Sequence, residues 1–180
     1  GGGGGGGGGG GRARAGGRAE GEEGRRLHEE VGRLILQGKY DEALPLAQRA
    51  VAIVQKAFGS EHPNFGTVLN HLATLYRKKG EYARAEPLLQ QILTSREKAL
   101  GPEHPAVALS LNNLAELHHE KGEYARAEPL YQRALTIMEK VLGPDHPNVA
   151  TCLSNLAQLY QDRAEYARAE PLFERALRTR

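Results

Sequence analysis

The sequence predicts an all-α array of stacked antiparallel helix pairs, on three observations. The phrase GEYARAEPL occupies Gly80–Leu88 and recurs at Gly122–Leu130. A one-letter variant starts at Ala164 and a looser GKYDEALPL at Gly38, so that each copy lies 42 residues after the last. A second phrase, FGSEHP, LGPEHP and LGPDHP, ends at Pro63, Pro105 and Pro147. Between these marks the apolar residues recur at helical spacing. A fixed period of this size is the signature of a repeat array, in which a unit buries its apolar faces only by stacking on its neighbours. The units run over about 22–63, 64–105, 106–147 and a truncated 148–180.

Residues 1–24 come first. Gly1–Gly11 is an unbroken glycine run, followed by RARAGGRAEGEEG. With few side chains to bury, this leader is expected to be disordered, and residues 25–180 to form the repeat domain. The run matches G-x-G-x-x-G only trivially, since no strand precedes it and no βαβ unit follows.

Each unit then reads as helix A, a turn and helix B. In helix A of the second unit Leu69, Leu72, Ala73 and Tyr76 lie at i, i+3, i+4 and i+7. The third unit has Leu111, Leu114, Ala115 and His118 there, and the fourth Leu153, Leu156, Ala157 and Tyr160. Gly80 and Gly122 suit the left-handed residue that stops a helix, and Tyr82 and Tyr124 are placed to pack across the junction. Ala164 replaces that glycine in the fourth unit. Helix B carries a recurrent alanine, Ala43, Ala85, Ala127 and Ala169, where two backbones approach too closely for a larger side chain. The following proline is expected near the start of helix B, where a missing N–H costs least. Each His-Pro is expected to set the connector and cap the next helix A. In the first unit Glu30 stands where later units have Leu72, Leu114 and Leu156, the polar face of a terminal cap.

These motifs give the chain a family resemblance. Leu-x-x-Leu-Ala-x-x-Tyr in helix A, Gly-x-Tyr at the turn and Ala-x-x-x-Leu/Tyr/Phe-x-x-Ala in helix B resemble tetratricopeptide repeats. Most of those are about 34 residues long. The longer helix B and G-P-E/D-H-P connector resemble the repeats of kinesin light chains and nephrocystin-3, and Leu111–Leu135 is close to the former. The resemblance covers about Leu27 to Arg180 and implies a right-handed superhelical solenoid that binds protein partners. The heptad coiled coil that binds the motor in kinesin light chains is not in this sequence.

Composition excludes several function classes. A net charge of +2 over 180 residues gives no general attraction to nucleic acid or anionic membrane. No apolar run approaches the ~20 residues of a membrane span, and no signal-peptide pattern is present. Cys152, the single cysteine, suits a reducing compartment. The expectation is therefore a cytoplasmic protein with a protein or peptide partner, no nucleic acid and no membrane insertion. A first residue other than Met and a last one inside a helical pattern read as part of a longer chain.

Searching for chemistry finds no assembled site. His62, His104 and His146 occupy equivalent positions in successive units, too far apart to share a metal bound at ~2 Å per ligand. His118 and His119 are adjacent on a helix and point ~100° apart. Gly38-Lys39 fails the phosphate-loop pattern, with Arg33 and Tyr40 at its required positions. Cys152 reads as a small packed side chain. The chain is expected to be no enzyme and to hold no cofactor or metal.

Helix A instead offers a polar face. Opposite its apolar stripe lie Asn70, Thr74 and Arg77, with Thr67 and Lys78 beside them. The third unit presents Asn112, Glu116, His119 and Glu120, and the fourth Ser154, Gln158, Gln161 and Asp162. In tetratricopeptide domains such a concave face commonly holds an extended peptide, with an Asn bonding to its backbone. The resemblance thus implies a peptide-binding groove, with Asn70 and Asn112 at that Asn position and Ser154 departing from it. Two roles remain open: a kinesin-light-chain-like cargo adaptor, or an interaction module of a larger signalling or ATPase-fusion protein. An apolar stripe on the last helix B invites further repeats or self-association.

Overall fold

The computed structural model describes the backbone of residues 9–179 and the side chains of residues 21–179. Among the described residues every regular element is an α-helix: α1 (Gly9–Leu36), α2 (Tyr40–Phe58), α3 (Pro63–Lys78), α4 (Tyr82–Leu100), α5 (Pro105–Glu120), α6 (Tyr124–Leu142), α7 (Pro147–Asp162) and α8 (Tyr166–Thr179). Odd-numbered elements are helices A and even-numbered ones helices B. The chain divides into two compact units, Gly1–Glu81 and Tyr82–Arg180. In the first, α1 packs on α2 and α2 on α3; in the second, each helix from α4 to α8 packs on the next.

The repeated phrases make the turns and starts. At the end of α5 the Gly122 N–H donates to His119 O at 3.0 Å and the Glu123 N–H to His118 O at 2.8 Å, the paired bonds of a Schellman stop. Gly122 adopts φ 76° to do so. The fourth repeat makes the same pair, from the Ala164 N–H to Gln161 O at 2.9 Å and the Glu165 N–H to Tyr160 O at 2.8 Å; Ala164 adopts φ 60° and is the sole non-glycine with positive φ among the described residues. Helices α3, α5 and α7 begin identically. His62, His104 and His146 are N-caps whose Nδ1 accepts from the N–H two residues on, at 3.1, 3.0 and 3.1 Å, with Pro in the first helical turn. The connector histidines are thus engaged in capping.

The core extends beyond the apolar stripe. Helix α5 buries Val107, Ala108, Ser110 and Leu117 in addition to Leu111, Leu114, Ala115 and His118. Helix α7 does the same with Val149, Ala150, Cys152 and Leu159. Each lies between its own helix B and the preceding one, so two faces are covered rather than one. The recurrent alanines Ala43, Ala85, Ala127 and Ala169 are buried, at 0%, 0%, 0% and 3% exposure.

Two expectations are corrected. Helix α1 begins at Gly9, inside the leader expected to be disordered; residues 1–8 of that leader lie outside the described residues. Where α1 meets α2 its glycines make the fit. A Cβ on Gly21 would come within 3.0 Å of Phe58, and one on Gly24 within 3.0 Å of Val54, so bare backbone lets α1 lie close on α2. The helix B prolines sit deeper than the first turn: Pro45 follows a helix start at Tyr40, and Pro129 one at Tyr124. Each removes one bond to the carbonyl four residues back. Those carbonyls belong to exposed residues, Asp41, Ala83, Ala125 and Ala167, where water can satisfy them. Tyr124 packs on the core, as expected, and meets the His119 ring edge-on at 5.6 Å, whereas Tyr166 is 64% exposed.

Ala164→Gly relieves a left-handed residue with an exposed side chain. It is expected to raise stability by about 0.5–1 kcal/mol, read as an upward shift of a thermal or denaturant midpoint.

Candidate protein-interaction surface

In the second unit two helices A lie side by side. The Asn112 amide on α5 donates to the Cys152 sulfur on α7 at 3.3 Å. Further along, His119 Nε2 meets Asp162 Oδ2 at 2.6 Å. A carboxylate only accepts, so Nε2 is the donor, and Nδ1 lies 3.3 Å from the Tyr131 hydroxyl. Gln158 donates to the other oxygen of Asp162 at 2.9 Å. Partial burial alone would raise the Asp162 pKa, but the bonds from His119 and Gln158 outweigh it and hold the carboxyl below its ordinary range. The polar row therefore runs Asn112, Glu116, His119 on α5 beside Ser154, Gln158, Gln161 on α7. Gln158 and Gln161 are exposed and Ser154 and Glu116 half-buried.

Two members are less open than the sequence implied. The His119 side chain is only 14% exposed and links α5, α6 and α7. Asn112 is held by Cys152, and its Oδ1 is buried without a hydrogen-bond partner. Cys152 is itself buried, and burial pushes its thiol pKa up, against the bond from Asn112. It packs as a small side chain, as expected.

In the first unit α3 carries the corresponding row. Thr74 donates to the Asn70 carbonyl at 2.8 Å; Asn70 and Arg77 are half-buried, and Lys78 is exposed. On α1 the residue equivalent to Asn70 is His28, whose ring stacks on His71 at 4.2 Å. Burial, then the charge of His28, lowers the His71 pKa to about 4, so its ring is neutral at neutral pH. A cavity of about 540 Å³ opens beside this stack, between Arg25 and His28 on α1, Val54 and Phe58 on α2, and Asn64 and Thr67 on α3.

A second set of residues, missed in the sequence, forms the seams between repeats. The Glu of the AEPL phrase reaches the following helix A. Glu128 on α6 accepts from Arg163 at 2.6 Å and from the Tyr160 hydroxyl at 2.8 Å, while Gln132 donates to that hydroxyl at 3.2 Å. Arg168 adds a bond to Glu128 at 3.0 Å and lies 4.1 Å over the Tyr160 ring. Glu86 on α4 takes the same place against Lys121, at 3.4 Å. In the first unit Gln48 donates to Tyr76 at 3.1 Å. The signal was available: Glu86 and Glu128 each precede a basic residue by 35 positions. Burial alone would raise the Glu128 pKa, but Tyr160, Arg163 and Arg168 outweigh it and hold it low.

Stacked helix pairs, polar helix A faces and latched seams define a helical-repeat protein-interaction module. No helix of the described residues is long and apolar enough to cross a membrane. The family model for the tetratricopeptide repeat matches residues 34–98, 64–140 and 107–180, and the chain belongs to that family. Its repeats are of the kinesin light chain type. A Podosopora anserina structure, described as kinesin light chain nearly identical TPR-like repeats, is 31% identical, with TM-score 0.75 over 84% of this chain and 72% of that one. BtubC (BKLC) from P. vanneervenii has the same fold at 24% identity and TM-score 0.77, over 85% of this chain and 61% of its own, so the chain spans about three fifths of that protein. A Rap protein complexed with Competence and Sporulation Factor shares the fold at 15% identity and TM-score 0.76, over 88% of this chain and 42% of that one. Comparison with curated proteins returns no match.

Glu128→Ala removes the carboxylate that Arg163 and Tyr160 share, leaving Arg163 to Glu165, and is expected to cost about 2 kcal/mol in denaturant unfolding. Because the folded pKa of Glu128 lies below its unfolded value, its contribution is present above the ordinary carboxylate pKa and is lost as pH falls through the folded one. A pH titration of stability should therefore fall less steeply on the acid side in Glu128→Gln than in the wild type.

Proposed function

We propose that the chain is an adaptor module that holds an extended segment of a partner protein against the polar faces of its helices A, in the cytoplasm. The observation that carries this is the in-register polar row on adjacent α5 and α7. Asn112 and Ser154, Glu116 and Gln158, and His119 and Gln161 are spaced by one repeat, and bonds from Asn112 and His119 hold the two helices together. An extended chain needs hydrogen-bond partners along its length, and such a row supplies them at regular intervals. In the first unit Asn70, Thr74, Arg77 and Lys78 offer a second, basic row. The acidic Glu116 and Glu120 favour a basic segment on the second unit, and Arg77 and Lys78 an acidic one on the first. Likeness to the kinesin light chain repeats supports an adaptor role, and the Rap protein is a case of this fold in complex with a factor.

Affinity capture from a cell lysate with the full chain tests the reading, with Asn70→Ala/Asn112→Ala as the comparison. Specific partners should be retained by the wild type and reduced ~10-fold or more in the folded double variant, a loss of about 1.4 kcal/mol. Recovery of the same partners in equal amount by both proteins would move the site off the helix A faces.

A further inference from the structure

One position of helix A carries two chemistries in successive seams. It is Tyr76 on α3, His118 on α5 and Tyr160 on α7. The two phenols are tied by glutamine, Tyr76 by Gln48 and Tyr160 by Gln132. His118 has no hydroxyl to offer Gln90, the counterpart of those glutamines, and is set between two carboxylates instead. The ring is buried. Its Nδ1 lies 2.8 Å from Glu123 Oε2, at the start of α6, and its Nε2 lies 3.8 Å from Glu86 Oε1 on α4.

The protonation of the ring decides which of these contacts are bonds. A carboxylate only accepts, so Nδ1 is the donor to Glu123. In the neutral ring Nε2 is then a bare lone pair, facing the Glu86 carboxylate across the seam. In the imidazolium Nε2 is a donor too, about 1 Å beyond the length of a charge-assisted bond, and the ring joins α4 to the start of α6. Two cations complete the surroundings. Lys121, just after α5, lies 3.4 Å from Glu86 and 3.2 Å from Glu123, and Arg126 on α6 lies 3.6 Å from Glu123. Bonds from His118 and then Lys121 hold the Glu123 carboxyl below its ordinary range, so it stays charged. Imidazole is the side chain whose ordinary range lies beside neutrality. In the α6–α7 seam, burial and then the bond to Glu128 push the Tyr160 phenol up, further from neutrality.

We propose that the α4–α5 seam is a proton-sensitive joint, closed when His118 is an imidazolium bridging Glu86 and Glu123 and looser when the ring is neutral. The α6–α7 seam, built on a phenol, keeps one state across the same range. Proton uptake thus tightens one seam of the array and leaves the next unchanged. An effect on partner binding along α5 rests on the reading proposed above, whereas the joint itself is tested without a partner.

Hydrogen exchange of the full chain at about pH 6 and about pH 8 is the test, with each amide corrected for its intrinsic rate. Amides of α4 are the readout, because the bonds of His119 run to α6 and α7 and not to α4. Amides of α6 are the reference. Protection of α4 relative to α6 should be ~3–10-fold greater at the lower pH. His118→Tyr, which installs the residue of the equivalent positions, should abolish the difference, and Glu86→Gln should reduce it. Circular dichroism checks that both variants stay folded. Equal relative protection at the two pH values overturns the proposal. So does a difference that persists in His118→Tyr, which assigns the proton to another group, or one that Glu86→Gln leaves intact, which removes α4 from the joint.

Discussion

Helix A and helix B of one repeat can cover each other's apolar stripe only if their backbones come close, and the contact is made at alanine. Ala127 lies in the same buried cluster as Ala115, and both are 0% exposed. Every helix B keeps a buried alanine there, Ala43, Ala85, Ala127 and Ala169, whereas on helix A the first repeat has Val31 in the position of Ala115. Once this contact is made, Tyr131, Leu156, Leu159 and Tyr160 close around it, and the following helix A is placed against helix B. The turn glycine, the histidine cap and the proline starts serve this arrangement by fixing where each helix ends and begins. Most of what helix A leaves uncovered is polar and forms the rows, with Leu109 an exposed apolar exception on α5.

The seams add register to this packing. An apolar stripe of leucines and alanines would accept its neighbour slid by a turn. Glu128 does not, since it must meet both the Tyr160 hydroxyl and the Arg163 guanidinium, and Glu86 must meet Lys121. Exposed ion pairs contribute little alone, about 0–1 kcal/mol, whereas a half-buried carboxylate with several donors is costly to misplace. The value of the latch is therefore in specifying which contact forms. Where the first unit lacks this Glu, with Leu44 in its place, Gln48 keeps to Tyr76 the bond that Gln132 makes to Tyr160, and Asp41 takes up Lys79.

Periodicity made the fold legible, because a motif repeated in register constrains every copy at once. The left-handed position was readable at Ala164 from its equivalence to Gly80 and Gly122, and the histidine caps from His-Pro preceding each helix A. The second buried face of helix A was not readable from one helical stripe. Phe65, Leu117 and Leu159 are buried although they lie off that stripe, and helix A packs also on helix B of the preceding repeat, a partner that spacing within one helix does not reveal. The fit of α1 on α2 was missed because glycine was weighed by its entropy and not by the close approach it allows. Of the polar rows, the positions were readable but their internal bonds were not. His119 and Asp162 meet across 43 positions, one repeat plus one residue, and only stacking brings them together.

The alanine contact is tested most directly by enlarging it. Ala127→Leu, compared with Ala125→Leu at an exposed position of the same helix, should be measured by denaturant unfolding at equal slope. Overpacking at the buried site is expected to lower stability by about 1–3 kcal/mol, while the exposed substitution changes it by less than about 0.5 kcal/mol. Equal stability of the two variants would contradict the claim that the close approach at alanine sets the architecture.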